Sequence, residues 1–139
     1  MKKAIFKNTD LRKANLVNAD LMYNDMIGVD FREADLRMLD INNTNLSKAN
    51  LENTDLRKTT LYSSNLSGAN LSGANLQGVN LSGVNFIETK LINSNLRNSI
   101  LRNVDLAGAD LKNADLTGAD LQGAKNIDKA LNIDTIKGF

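Results

Sequence analysis

Ala69-Asn70-Leu71-Ser72-Gly73 and Ala74-Asn75-Leu76-Gln77-Gly78 are two copies of one five-residue phrase, and the phrase recurs without a break from residue 4 to residue 123. A frame centred on leucine and stepped by five from residue 6 to residue 121 has 24 centres, all large and apolar. Nineteen are Leu, and the other five are Phe6, Met26, Phe31, Ile41 and Phe86. Two residues before the centre, 22 of 24 positions hold Ala, Ser, Thr or Val, with Asn24 and Leu39 the exceptions. One residue before it, 20 of 24 are Asp or Asn, with Ile5, Thr60, Lys90 and Ile100 the exceptions. Two residues after it, eight are Gly and eight are Asn.

A period of five matches neither the 3.6 of a helix nor the 2 of a strand. It fits a short extended piece followed by a corner. In the extended piece the small residue and the centre share one side of the backbone, and the polar residue between them points away. The corner then asks for residues that tolerate left-handed or tight-turn backbone, which Gly and Asn do. Equal corners turning the same way close a coil. The centres fill it, with Phe6, Leu11, Leu16, Leu21, Met26, Phe31, Leu66, Leu71, Leu76, Leu81 and Phe86 as core examples. The pattern leaves the number of corners per turn open.

These segments, with Ala109-Asp110-Leu111-Lys112-Asn113, resemble the A-(D/N)-L-x-x signature of the pentapeptide-repeat family, over roughly residues 4–124. The resemblance implies an all-β, right-handed quadrilateral β-helix with four repeats per coil. Residues 20 apart then stack, and the repeats fill about six coils, a rod of roughly 29 Å at the usual strand spacing. Residues 1–124 are thus assigned to the solenoid. Residues 125–139 leave the frame and are assigned to a capping tail, because an open solenoid end exposes apolar centres and unpaired strand edges. Within the tail, Asn126-Ile127-Asp128-Lys129-Ala130-Leu131 predicts a short capped helix.

The chain has no Cys and no His, so disulfides, zinc ligation and histidine-based catalysis are excluded. The opening Met1-Lys2-Lys3-Ala4-Ile5-Phe6-Lys7 has only three apolar residues before the next lysine, too few for a secretory core or a membrane span. The expected location is cytoplasmic, with no membrane contact. Seventeen basic and 16 acidic residues leave a formal charge of +1, which gives no strong field for steering.

Eleven of the 13 Asp occupy the position before the centre, and nine further repeats carry Asn there. That interchange suits a side-chain-to-backbone turn bond and does not suit a general acid or an ion ligand. No metal, cofactor or catalytic set is expected, and the chain is read as non-enzymatic. The resemblance also raises a DNA-mimic role, in which a solenoid occupies the DNA site of gyrase or another type II topoisomerase and confers quinolone resistance. Such a rod must be acidic. Here the corners carry Glu33, Glu52 and Glu88 against eleven bases, so this alternative is disfavoured. Direct nucleic-acid binding is not expected either, since Arg37, Arg57 and Arg97 share a face with Asp35, Asp55 and Asp115.

The departures from consensus point to an interaction surface. Met22, Tyr23, Ile27, Met38 and Tyr62 place apolar groups at corners, whereas residues 59–87 carry no charge and read as plain scaffold. The sequence is therefore read as a protein–protein interaction scaffold for an unknown protein partner, with an end-to-end homodimer as a further form.

Overall fold

Every corner in the repeats has the same backbone solution. The computed structural model describes residues 4–138, and in all 24 repeats the second residue after the centre has a positive φ, from +54° to +73°. Except at Leu21, Ile41 and Leu101, the carbonyl of the centre accepts the N–H three residues on, as Phe6 does from Thr9 at 2.9 Å and Leu71 from Ala74 at 3.0 Å. A positive φ confined to the third residue of such a turn is the type II arrangement. Glycine occupies it freely in eight repeats, and Asn, which tolerates it best among the rest, in eight more.

Four corners return the chain onto itself. Parallel bridges join Ile5 to Asp25, Asp25 to Asn45, Asn45 to Asn65, Asn65 to Asn85 and Asn85 to Asp105, and the other three faces keep the same spacing of 20. Apart from Leu36 and Leu61, each centre from Phe6 to Phe86 donates its N–H to the carbonyl of the ladder residue one coil on, starting with Phe6 to Asp25 at 2.8 Å and ending with Phe86 to Asp105 at 2.9 Å. All twenty Asp and Asn at the ladder position also accept the N–H two residues ahead, at 2.9–3.4 Å. This is the turn bond expected from the Asp/Asn interchange, and it satisfies a corner N–H that the ladder does not reach.

Every centre from Met26 to Leu116 is buried. Hydroxyls inside the coil bond to carbonyls, as Thr54 Oγ1 does to Leu51 at 2.6 Å and Thr89 Oγ1 to Leu66 at 2.7 Å. No buried side-chain polar atom among the described residues lacks a partner. The two odd inward positions are accommodated. Leu39 is fully buried, and Asn24 donates to the Leu21 carbonyl and accepts from the Ala4 N–H.

The first coil departs from the expected core. Phe6, Leu11, Leu16 and Leu21 are only partly buried, because one side of that coil has no neighbour among the described residues. Met1, Lys2, Lys3 and Phe139, assigned above to the solenoid and the tail, lie outside the described residues.

The tail also differs from expectation. Instead of one short helix, two single 3₁₀ turns form at Ile127–Lys129 and Ile133–Thr135. Between them the ladder continues: Lys125, Leu131 and Lys137 bridge to Asp105, Asp110 and Asp115. Each arm is now six residues long, and Asn126-Ile127-Asp128 is repeated as Asn132-Ile133-Asp134. Asn126 and Asn132 turn left-handed and donate their amides to Asp105 at 2.8 Å and Asp110 at 2.7 Å. An arm that must rejoin the ladder after six residues holds one i→i+3 turn and has no room for an α-helix.

Two glycines separate the cost of the corner from the cost of contact. A Cβ at Gly78 would meet nothing within 4 Å, so Gly78→Ala should lose only the left-handed preference, about 1 kcal/mol by denaturant unfolding. A Cβ at Gly138 would lie 2.5 Å from Thr117 Cα and 2.8 Å from its nitrogen. Gly138→Ala is therefore expected to lift the last arm and to speed hydrogen exchange of the Lys137 N–H, which bonds to the Ala114 carbonyl.

Candidate interaction surface

The outer surface consists of the ladder residue at mid-face and the corner residues that follow the centre. Its arginines are paired with aspartates. Arg12, Arg32, Arg37 and Arg57 each reach back to the aspartate of their own repeat, at 2.6–2.7 Å. Arg97 and Arg102 reach to the next coil, onto Asp115 at 3.3 Å and Asp120 at 2.6 Å. All six arginines of the chain are thus engaged. In the first four the geometry favours the pairing, since only the centre separates ladder from corner and the turn bond already fixes the carboxylate beside the arginine backbone.

These contacts hold the carboxylates below their usual range. The Arg12 guanidinium, helped by the Arg12 N–H, lowers Asp10 from 3.8 to about 2. Arg32, Arg37 and Arg57 lower Asp30, Asp35 and Asp55 in the same way. The Asn126 amide lowers Asp105, the Thr117 hydroxyl lowers Asp115, and the Gln122 N–H with Arg102 lowers Asp120. Carboxylates held ionised in this way accept hydrogen bonds and are poorly suited to deliver protons at neutral pH. No group of acidic residues among those described could hold a metal ion. Among the described residues no helix is long and apolar enough to cross a membrane.

The apolar corner residues are distributed over three edges of the coil. Met22 and Tyr62 share one column with Asn42 between them, and Tyr23 stands beside Met22. Asn42 Oδ1 accepts the Tyr62 N–H at 2.9 Å, replacing the turn bond that Thr60 does not supply. Ile27 lies on the next edge and Met38 on the preceding one, so the register does not bring all five together. Tyr23 is 61% exposed, Met38 57% and Tyr62 44%, while Met22 and Ile27 are half-buried.

Met38 has company that the departures from consensus do not reveal. With Val17, Arg37, Asp55, Arg57 and Lys58 it lines an open groove of about 330 Å³. Residues 17, 37 and 57 form one column and residues 38 and 58 the next. The signal is therefore the 20-residue spacing, visible once the coil size is known. Two further hollows, around Asp10, Arg12, Lys13 and Glu33 and around Arg32, Glu33, Glu52 and Asn53, are lined by polar side chains.

A sequence profile described as pentapeptide repeats matches residues 1–37, 39–73, 64–103 and 101–125. None of the curated proteins matches the chain. Among solved structures, HetL, a pentapeptide repeat protein involved in heterocyst differentiation regulation in the cyanobacterium Nostoc sp. strain PCC 7120, is 29% identical with a TM-score of 0.52. That alignment covers 94% of this chain but 62% of HetL. Rfr23 of the cyanobacterium Cyanothece 51142 is 23% identical, with a TM-score of 0.54 and coverage of 87% of this chain and 89% of Rfr23. Full-length QnrB1, a plasmid-mediated fluoroquinolone resistance protein, is 19% identical, with a TM-score of 0.53 and coverage of 87% and 81%. The last two likenesses are of fold.

The paired carboxylates fix the expected pH response. Their folded pKa values are depressed, so their stabilisation is complete above the unfolded value of 3.8 and is lost as pH falls towards about 2, the folded value of Asp10. With no histidine, nothing comparable titrates between about pH 5 and 8. Thermal melts should give a flat Tm across that range and a decline beginning below about pH 4; a Tm that rises on acidification would show that the pairs do not stabilise the fold.

Proposed function

The chain belongs to the pentapeptide-repeat family, and from that premise we propose that it is a non-enzymatic, cytoplasmic scaffold that binds a partner protein through its corners. In this reading it is a right-handed square rod of six four-repeat coils, with residues 125–139 as its cap. The observation that carries the proposal is the placement of Tyr23 and Met38. Both are at left-handed corners, with φ of +60° and +57°, and both are more than half exposed. A bulky residue there carries a backbone cost of roughly 1–2 kcal/mol, and exposure returns little of it through internal packing. An external contact is where such a residue becomes useful. Tyr62, above Met22 on the same edge as Tyr23, extends the surface. HetL's involvement in regulation accords with a binding role, although this chain spans only 62% of HetL. A second copy would stack on the half-buried first coil, giving an end-to-end homodimer.

The DNA-mimic alternative needs a contiguous acidic face, and the six arginine–aspartate pairs break up any such face. The same neutralisation weighs against phosphate contacts and hence direct nucleic-acid binding. In a gyrase supercoiling assay with and without a quinolone, the purified protein is expected to have no effect at low micromolar levels. Protection or inhibition there would favour mimicry over the scaffold reading.

Tyr23→Asn combined with Tyr62→Ser tests the scaffold directly. Asn tolerates the left-handed corner, so the double variant should melt no lower than wild type. It should also lose proteins that wild type captures in a crosslinking pull-down. Retention of the same captured proteins at the same yield would remove this edge as the binding surface.

A further inference from the structure

We infer that the groove lined by Val17, Arg37, Met38, Asp55, Arg57 and Lys58 docks an acidic segment of a partner protein that carries aliphatic side chains between its carboxylates. This rests on the scaffold reading and adds the chemistry of the partner to it.

The groove has an apolar component and a cationic one. Val17 and the half-exposed Met38 supply aliphatic surface, and three cations face one carboxylate around a volume of about 330 Å³. Asp55 is taken up by Arg57 at 2.6 Å, and Arg37 holds Asp35 at 2.7 Å. Both arginines use Nε and one terminal nitrogen, Nη2, for these bonds. Their Nη1 atoms make no hydrogen bond among the described residues. Lys58 enters no ion pair there either. The two internal pairs cancel, leaving the Lys58 charge as the excess, with two guanidinium edges oriented beside it. Such a site complements one or two carboxylates separated by apolar side chains. It complements a nucleic acid poorly, since most of its charge is already matched and its remaining surface is apolar.

The backbone singles out the same place. Along this edge the left-handed positions are Asn18, Met38, Lys58, Gly78, Asn98 and Gly118. Only the two that line the groove are neither Gly nor Asn. One other edge has adjacent residues of that kind, Lys13 and Glu33, and they pair with each other at 3.7 Å. Met38 and Lys58 have no such mutual charge contact to account for them. The other two hollows lack this combination, because their linings are polar and in large part ion-paired.

The test is amide chemical-shift mapping on the full chain with the peptide acetyl-Leu-Glu-Leu-Glu-Leu-amide as probe. Comparison probes carry Gln or Lys in place of Glu, and a thymidine oligonucleotide represents nucleic acid. Saturable shifts confined to Val17, Arg37, Met38, Arg57, Lys58 and their neighbours are expected, with binding about tenfold weaker for the Gln peptide and for Lys58→Asn. Met38→Asn should weaken both the Glu and the Gln peptide. Asn suits the left-handed corner, so unchanged melting of these variants separates lost binding from lost fold. No shifts at about 2 mM peptide, shifts centred elsewhere, equal binding of the Gln peptide, or tighter binding of the oligonucleotide would each overturn the inference. Failure here with continued loss of capture by the Tyr23/Tyr62 variant would leave the scaffold reading intact and move the contact to that edge.

Discussion

The structure depends on a left-handed residue at every fifth position. Right-handed backbone at that position would remove the type II corner, and without the corner the three-residue faces would have no reason to return over one another. With it, each centre points inwards and each ladder residue outwards. The next coil then lies one strand spacing away along all four faces. The cooperative consequence is that neighbouring coils share their hydrogen bonds, with nearly every centre N–H held by the coil that follows it. A local defect at a corner is therefore felt mainly by the two adjacent coils.

The aspartate and asparagine ladder supports that geometry. Its Oδ1 caps a corner N–H in all twenty repeats that carry one of these residues. Because the bond needs only an acceptor oxygen, charge at the ladder is free to vary, and where Asp is followed by Arg at the corner the pair closes on itself. Six of the eleven ladder aspartates are paired with arginine, and acids and bases nearly balance over the sequence, 16 against 17.

Much of this was legible in the sequence for a physical reason: burial, polarity and corner tolerance all repeat with one period, and each is a local property. The Asp/Asn interchange predicted the turn bond because both side chains carry the same oxygen. What was not legible depends on ends and on distance. Phe6, Leu11, Leu16 and Leu21 match the inner repeats in character, yet they are half-buried because burial requires a neighbouring coil on both sides. In sequence the tail resembles one helix because a five-residue frame cannot register six-residue arms. The repeated Asn126-Ile127-Asp128 and Asn132-Ile133-Asp134 carried the correct signal at a different period. The groove escaped because Val17, Arg37 and Arg57 become neighbours only at 20 residues per coil, a number that periodicity alone does not set.

A repeat that solves its fold so locally also indicates where function must be sought. Inner and ladder positions are committed to packing and turn bonds, which leaves the corners as the freely variable surface. At most corners the left-handed residue is Gly or Asn, and the fold needs nothing more. At Tyr23, Met38 and Lys58, as at Lys48, Ser63 and Glu88, the chain instead accepts a backbone penalty of roughly 1–2 kcal/mol each. Lys13 and Glu33 bear a similar penalty, but they meet each other and recover part of it as an ion pair. Tyr23 and Met38 are more than half exposed, and Lys58 leaves its ammonium unmatched among the described residues. Since little inside the rod offsets these penalties, the compensating contact is to be looked for outside it, at the edges where these residues stand.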